Sequence, residues 1–112
     1  MPNSTWQAGF NTEIEQAKIA RARGNEGMAR VCARRAAGIV IGEYLLRKGR
    51  PSPSASAYDR LRLLERLPDI PESIREATCR LLLRVDANHQ LPADADLIND
   101  AVLLREILLP AR

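Results

Sequence analysis

The chain's single histidine, His89, stands five positions after Arg84 in the stretch RVDANHQ. These side-chain types could form a catalytic pair. An imidazole titrates near neutral pH and can accept a proton. A guanidinium offers a fixed fork of donors to an anion. The spacing works against the pair, because residues five apart on an unbroken helix sit about 140° round its axis. Arg84 and His89 converge only if the helix ends or bends between them, which Asp86 and Asn88 permit. The plainer reading gives Arg84 an ion pair along its helix and lets His89 offset that helix's negative end. Such a placement is worth roughly 0.3–1 kcal/mol when the imidazole is charged. In a chain with 17 Lys and Arg, an Arg at that distance before a His arises readily by chance. The balance favours the helix-end role.

A second set of candidates is electrostatic. The formal net charge is +3, yet residues 1–50 carry nine Lys or Arg against four Glu, whereas residues 51–112 carry eight Arg against ten Asp or Glu. The excess gathers at Lys18, Arg21, Arg23, Arg30, Arg34 and Arg35. Of these, Arg23, Arg30, Arg34 and Arg35 are the candidate contacts for RNA, nucleotide phosphates or an acidic partner surface. A solvated helix face is the plainer account of the same charges.

Other chemistry finds little support. Cys32 and Cys79 fall in helical patterns and read as reduced, half-buried small hydrophobes of a cytoplasmic protein. Neither belongs to a cluster of metal ligands, and no metal or cofactor is expected. GNEGMAR has two glycines but lacks the preceding strand and the Lys-Ser/Thr of a phosphate loop. Asp94, Asp96 and Asp100 lead into a helical pattern without the glycine and closing Glu of a calcium loop. The serines of GRPSPSASA have no nearby His or Asp arrangement that would activate a hydroxyl. No apolar run approaches the ~20 residues that cross a membrane, and MPNSTWQAGF lacks the apolar stretch of an export signal.

The elements that must position these side chains are helical. Trp6, Phe10, Ile14, Ala17 and Ala20 recur at steps of three and four, which predicts a helix from about Trp6 to Arg23, stopped by Gly24 and Asn25. A second and longest helix is expected over Glu26 to Arg47. Its apolar stripe is Met28, Val31, Cys32, Ala36, Ile39, Val40 and Leu46, and the run AAGIVIG marks it as central. Gly38 and Gly42 cost about 1 kcal/mol each in helix propensity, and close approach of a neighbouring helix is the expected compensation. After the polar loop, Ser54 or Ser56 caps a third segment carrying Tyr58, Leu61, Leu64 and Leu67. Pro71 and Glu72 suit the first turn of a fourth, with Ile74, Ala77, Leu81, Leu82 and Val85 as its stripe. A fifth runs through Leu97, Ile98, Ala101, Leu104, Ile107 and Leu108, with Asp94 and Asp96 near its start and Pro110 closing it. No stretch shows the alternation of a half-buried strand. The fold class is therefore all-α, an antiparallel up-and-down bundle of four to five helices. Residues 1–5 are a tail and 6–110 form one domain. Five stripes in so short a chain leave a surplus apolar face, which a symmetric homodimer would bury.

The stretch EIEQAKIARARGNEGMARVCARRAAGIVIGEYLLRKG, followed by a polar loop and YDRLRLLERL, resembles the HEPN family of small helical proteins in pattern and order over about residues 6–108. The resemblance implies a four- to five-helix bundle that dimerises. It implies one of two roles. Some members are accessory modules that bind nucleotides or partner minimal nucleotidyltransferases, often in toxin–antitoxin pairs. Others are metal-independent ribonucleases whose signature is an Arg followed four to six residues later by a His, which Arg84 and His89 match, with the site composed across a dimer. Val85 and Asn88 depart from that signature, since catalytic members place a polar residue after the Arg and often Tyr before the His. The sequence reading therefore favours a non-enzymatic accessory module, with ribonuclease activity as the alternative.

Overall fold

The computed structural model describes residues 5–83 and 96–110. They form five helices: α1 (Thr5–Ala22), α2 (Glu26–Arg47), α3 (Ala57–Arg66), α4 (Glu72–Leu81) and α5 (Leu97–Leu108). Among the described residues there is no strand, and the protein is an all-α bundle.

Local chemistry fixes the helix ends. Gly24 and Gly49 both take positive φ, at 78° and 68°. The chain turns there so that Asn25 N–H reaches the Ala20 carbonyl and Arg50 N–H reaches the Leu45 carbonyl, the double-bonded helix stop that glycine accommodates without Cβ strain. Asn25 serves both helices: its N–H helps stop α1, as the sequence predicts. Its side chain caps α2 by accepting from Met28 N–H at 3.1 Å. Ser56 caps α3 and Asp96 caps α5, each accepting from the backbone N–H three residues on. Pro71 opens α4 without a side-chain cap.

α2 is central: it packs against α1, α3 and α5, while α4 packs on α3 and α5. One apolar core draws on all five helices, from Phe10 and Ile14 through Val40, Ile41 and Leu45 to Leu61, Leu64, Ile74, Leu81, Leu97 and Leu104. The expected close approach at the α2 glycines is present. A Cβ on Gly38 would stand 2.8 Å from the Cβ and 3.0 Å from the Cα of Ala57, and one on Gly42 would overlap the Arg60 guanidinium. That guanidinium donates to the Gly38 carbonyl at 3.0 Å and to the Ser54 carbonyl at 2.8 Å, tying the polar loop and α3 to α2.

The buried arc of α2 differs from the expected stripe. Cys32, Ala36 and Val40 are buried, but so are Ala29, Ala33, Ala37 and Ile41, and the arc centres on these small residues. Met28, Val31 and Leu46 lie outside it at 46%, 38% and 71% exposure. Small side chains let α1 and α5 come close, and the larger apolar residues are left on the other face. Tyr58 and Ile107, also expected in the core, are exposed.

Candidate functional site

Four residues apart on α2, Arg30 and Arg34 share one flank of the helix, with Gly27 a turn earlier. With Tyr58 and Leu61 of α3 and the end of α4 at Leu81, Leu82 and Leu83, they line a groove of about 470 Å³. Leu61 and Leu81 are fully buried beneath it, and Tyr58 stands half-exposed at its edge. The Arg62 guanidinium lies 5.9 Å from the Tyr58 ring centroid. Val31 is adjacent to Gly27 and Arg34 on the helix surface, and Met28 lies beyond it, so exposed apolar side chains continue from the groove round α2.

The four basic candidates have different environments. Arg34 is half-buried and donates from Nε to the Leu81 carbonyl and from Nη2 to the Leu83 carbonyl, both at 2.8 Å. Carbonyls at a helix C-terminus have no partners within the helix, and Arg34 supplies two of them at the end of α4. Arg30 is half-buried in the groove wall, and among the described residues it makes no hydrogen bond or ion pair. Arg23, in the turn between α1 and α2, and Arg35 are exposed and likewise make none there. Arg35 also borders a smaller depression shared with Glu13, Ile39 and Arg60. The structure thus places Arg30 and Arg34 together and sets Arg35 on a neighbouring flank. Arg84 and His89 lie outside the described residues.

Lys18 and Arg21, in the same charge excess, face the start of α5. Arg21 binds Glu26 at 2.9 Å and Asp96 at 3.0 Å, and its pKa is raised, first by the hydrogen bond with Glu26. Burial pushes the Asp96 carboxyl up, but hydrogen bonds from Arg21 and from Asn99 N–H outweigh it and hold the group below the usual carboxylate range. Asp100 is gripped by Arg80. Both aspartates therefore have cationic partners. Among the described residues no group of three His, Cys, Asp or Glu side chains gathers to hold a metal.

A second basic locus sits at the far end of α2. Arg47 and Arg105 stand 5.8 and 5.9 Å from the Trp6 ring centroid, and Arg105 also lies 5.4 Å from that of Phe10. Among the described residues the buried Arg105 Nε has no hydrogen-bond acceptor, and the ring contacts are its compensation there. The cysteines are free and unalike. Cys32 is buried, and burial followed by nearby Glu13 pushes its thiol pKa up. Cys79, expected half-buried, is exposed beside Glu65.

Sequence reasoning assigned Met28, Val31 and Tyr58 to the core and so missed the groove's apolar margin. The available signal was the excess of apolar residues on α2: its alanines already fill one arc, so the larger residues had to lie elsewhere. No family model, no curated protein and no solved structure matches the chain. Among the described residues no helix is long and apolar enough to cross a membrane.

Proposed function

We propose that the chain is a HEPN-like interaction module, homodimeric and cytoplasmic, that meets an anionic partner through the basic N-terminal half of α2. The partner is nucleic acid, a nucleotide's phosphates or a nucleotidyltransferase, as in toxin–antitoxin pairs. The supporting observation is that Arg23, Arg30 and Arg35 have no carboxylate partner among the described residues, whereas Arg21, Arg47, Arg62, Arg75 and Arg80 each have at least one. A cation left unpaired is the one available to an external anion. Arg34 serves this surface by holding the end of α4 against the groove.

The test is binding of labelled single-stranded RNA, of ATP and of a candidate nucleotidyltransferase to the wild type and to an Arg23→Glu/Arg30→Glu/Arg35→Glu variant. Binding that weakens steeply with added salt and is lost in the variant supports the reading. Equal binding by the variant, or none by the wild type at low salt, removes it. Sedimentation reports the dimer, and an RNA assay in chelator reports any metal-independent cleavage.

A further inference from the structure

The groove and its margin define the chemistry of the partner more narrowly than charge does. Resting on the reading of this face as the contact surface, we infer that it docks an acidic, amphipathic segment of another protein. The segment's apolar side chains enter the groove, and its carboxylates meet Arg30 and Arg35.

Three observations carry this. The first is that the face is apolar at its centre. Tyr58, 50% exposed, borders a groove floored by Leu61 and Leu81, and on α2 the exposed Val31 and Met28, at 38% and 46%, continue the apolar surface outward from Gly27 and Arg34 of its wall. Aliphatic side chains in a groove match the spaced anchors of an amphipathic helix. They gain nothing from a phosphate backbone. A single-strand binding surface would instead present several stacking rings along a continuous basic track, and this face offers one tyrosine.

The second observation is charge. Arg30 and Arg35 border the apolar residues without a carboxylate partner among the described residues. An acidic segment complements that pattern. A second copy of this chain does not. A two-fold contact through the face would bring the same basic patch of both copies into one interface, and that concentration of like charge opposes docking.

The third is that the groove wall is fixed by the molecule itself. Arg34 holds the Leu81 and Leu83 carbonyls, and Arg60 locks the start of α3 onto Gly38. The groove between α2, α3 and the end of α4 thus has bonded walls before any partner arrives, which lowers the ordering cost of binding.

The experiment uses the full chain and three labelled probes. One is a peptide of about 20 residues with Leu at helical spacing and Glu on the opposite face. The second has the same composition with the spacing scrambled, and the third is a single-stranded RNA of similar charge. Preferential binding of the amphipathic peptide is expected, with affinity reduced about tenfold or more by Arg30→Glu. Met28→Asp should reduce it similarly, and since Met28 is exposed that variant keeps the fold. Equal binding of both peptides would show charge alone at work and overturn the inference. RNA bound with neither peptide would also overturn it while leaving the basic face as a contact surface. Failure of all three probes, together with no binding of RNA, ATP or a nucleotidyltransferase at low salt, would remove both readings. Loss of a homodimer in Met28→Asp would assign the face to self-association and likewise overturn the inference.

Discussion

Arg80 on α4 grips Asp100 on α5 with two nitrogens: Nε lies 3.2 and 3.1 Å from the two carboxylate oxygens, and Nη2 lies 3.0 Å from Oδ1. The Asp100 side chain is 4% exposed and that of Arg80 37%, so the pair spans the boundary between core and solvent. Removing the cation leaves a buried, uncompensated charge, and removing the charge leaves a cation that water can solvate. Arg80→Ala should therefore cost about 3 kcal/mol, and Asp100→Asn about 1 kcal/mol, because the amide keeps the shape. Chemical denaturation of the two variants checks the order; equal losses would mean that the buried carboxylate is not the dominant cost.

The two α2 glycines should respond differently to alanine. At Gly38 the new methyl meets the backbone and Cβ of Ala57, which cannot move without shifting α3. At Gly42 it meets the tip of Arg60, a flexible side chain that can swing away at the loss of its bond to the Gly38 carbonyl. Both substitutions gain about 1 kcal/mol of helix propensity. Overpacking against backbone costs about 1–3 kcal/mol. Gly38→Ala should thus be destabilising by up to about 2 kcal/mol and Gly42→Ala near neutral, as read from the urea midpoints of the two variants.

Most ends of the helices were legible in the sequence because caps and stops are local chemistry. The exception is α4, whose expected stripe ran on through Leu82, one residue past its last helical residue, Leu81. Glu26 and Arg47 bound α2 as expected, and Ser56 and Pro71 act within a turn of where they stand. The facing of α2 was not legible. Its buried arc is built from alanines, whose weak apolar signal yields to that of Met28 and Val31, and only packing against α1 and α5 decides which face is inside. The candidate arginines were visible as a cluster, but their separation was not. Arg34 finds its acceptors 47 and 49 residues away, at the end of another helix.

Arg34 provides a sharper test of that long-range contact. Two charge-assisted bonds hold carbonyls that accept no other bond among the described residues, and the planar fork reaches Leu81 and Leu83 at once. An ammonium is a point donor and cannot span both. Arg34→Lys should lose about 1–2 kcal/mol, and Arg34→Met about 2–3 kcal/mol. Hydrogen exchange should show the loss concentrated in the last turn of α4; a loss spread evenly over the bundle would contradict the capping role.

Acid should act partly through Asp96. Its folded pKa lies below the usual aspartate value, so the carboxylate stabilises the fold at and above the ordinary carboxylate range. The contribution is lost as pH falls through the lowered folded value. Because the Arg21 pair is largely exposed, its share is below about 1 kcal/mol. Asp96→Asn should be less stable than the wild type near neutral pH, and the gap should close in acid as the wild-type carboxyl protonates. A gap independent of pH would mean that capping of Asn99, which the amide retains, is not the whole of what the variant disturbs.

The two thiols should separate cleanly in alkylation. The nucleophile is the thiolate. Cys32 is buried, and burial together with Glu13 disfavours its ionised form. Cys79 is exposed on α4 and open to reagent without any movement of the core. In native buffer iodoacetamide should modify Cys79 first, with Cys32 slower by about a hundredfold or more. Denaturant should then accelerate Cys32 in step with unfolding, because its access requires α1 and α2 to part. Mass spectrometry of the peptides, sampled over time, gives both rates. Comparable rates in native buffer would place Cys32 outside the core and contradict the packing of α1 on α2.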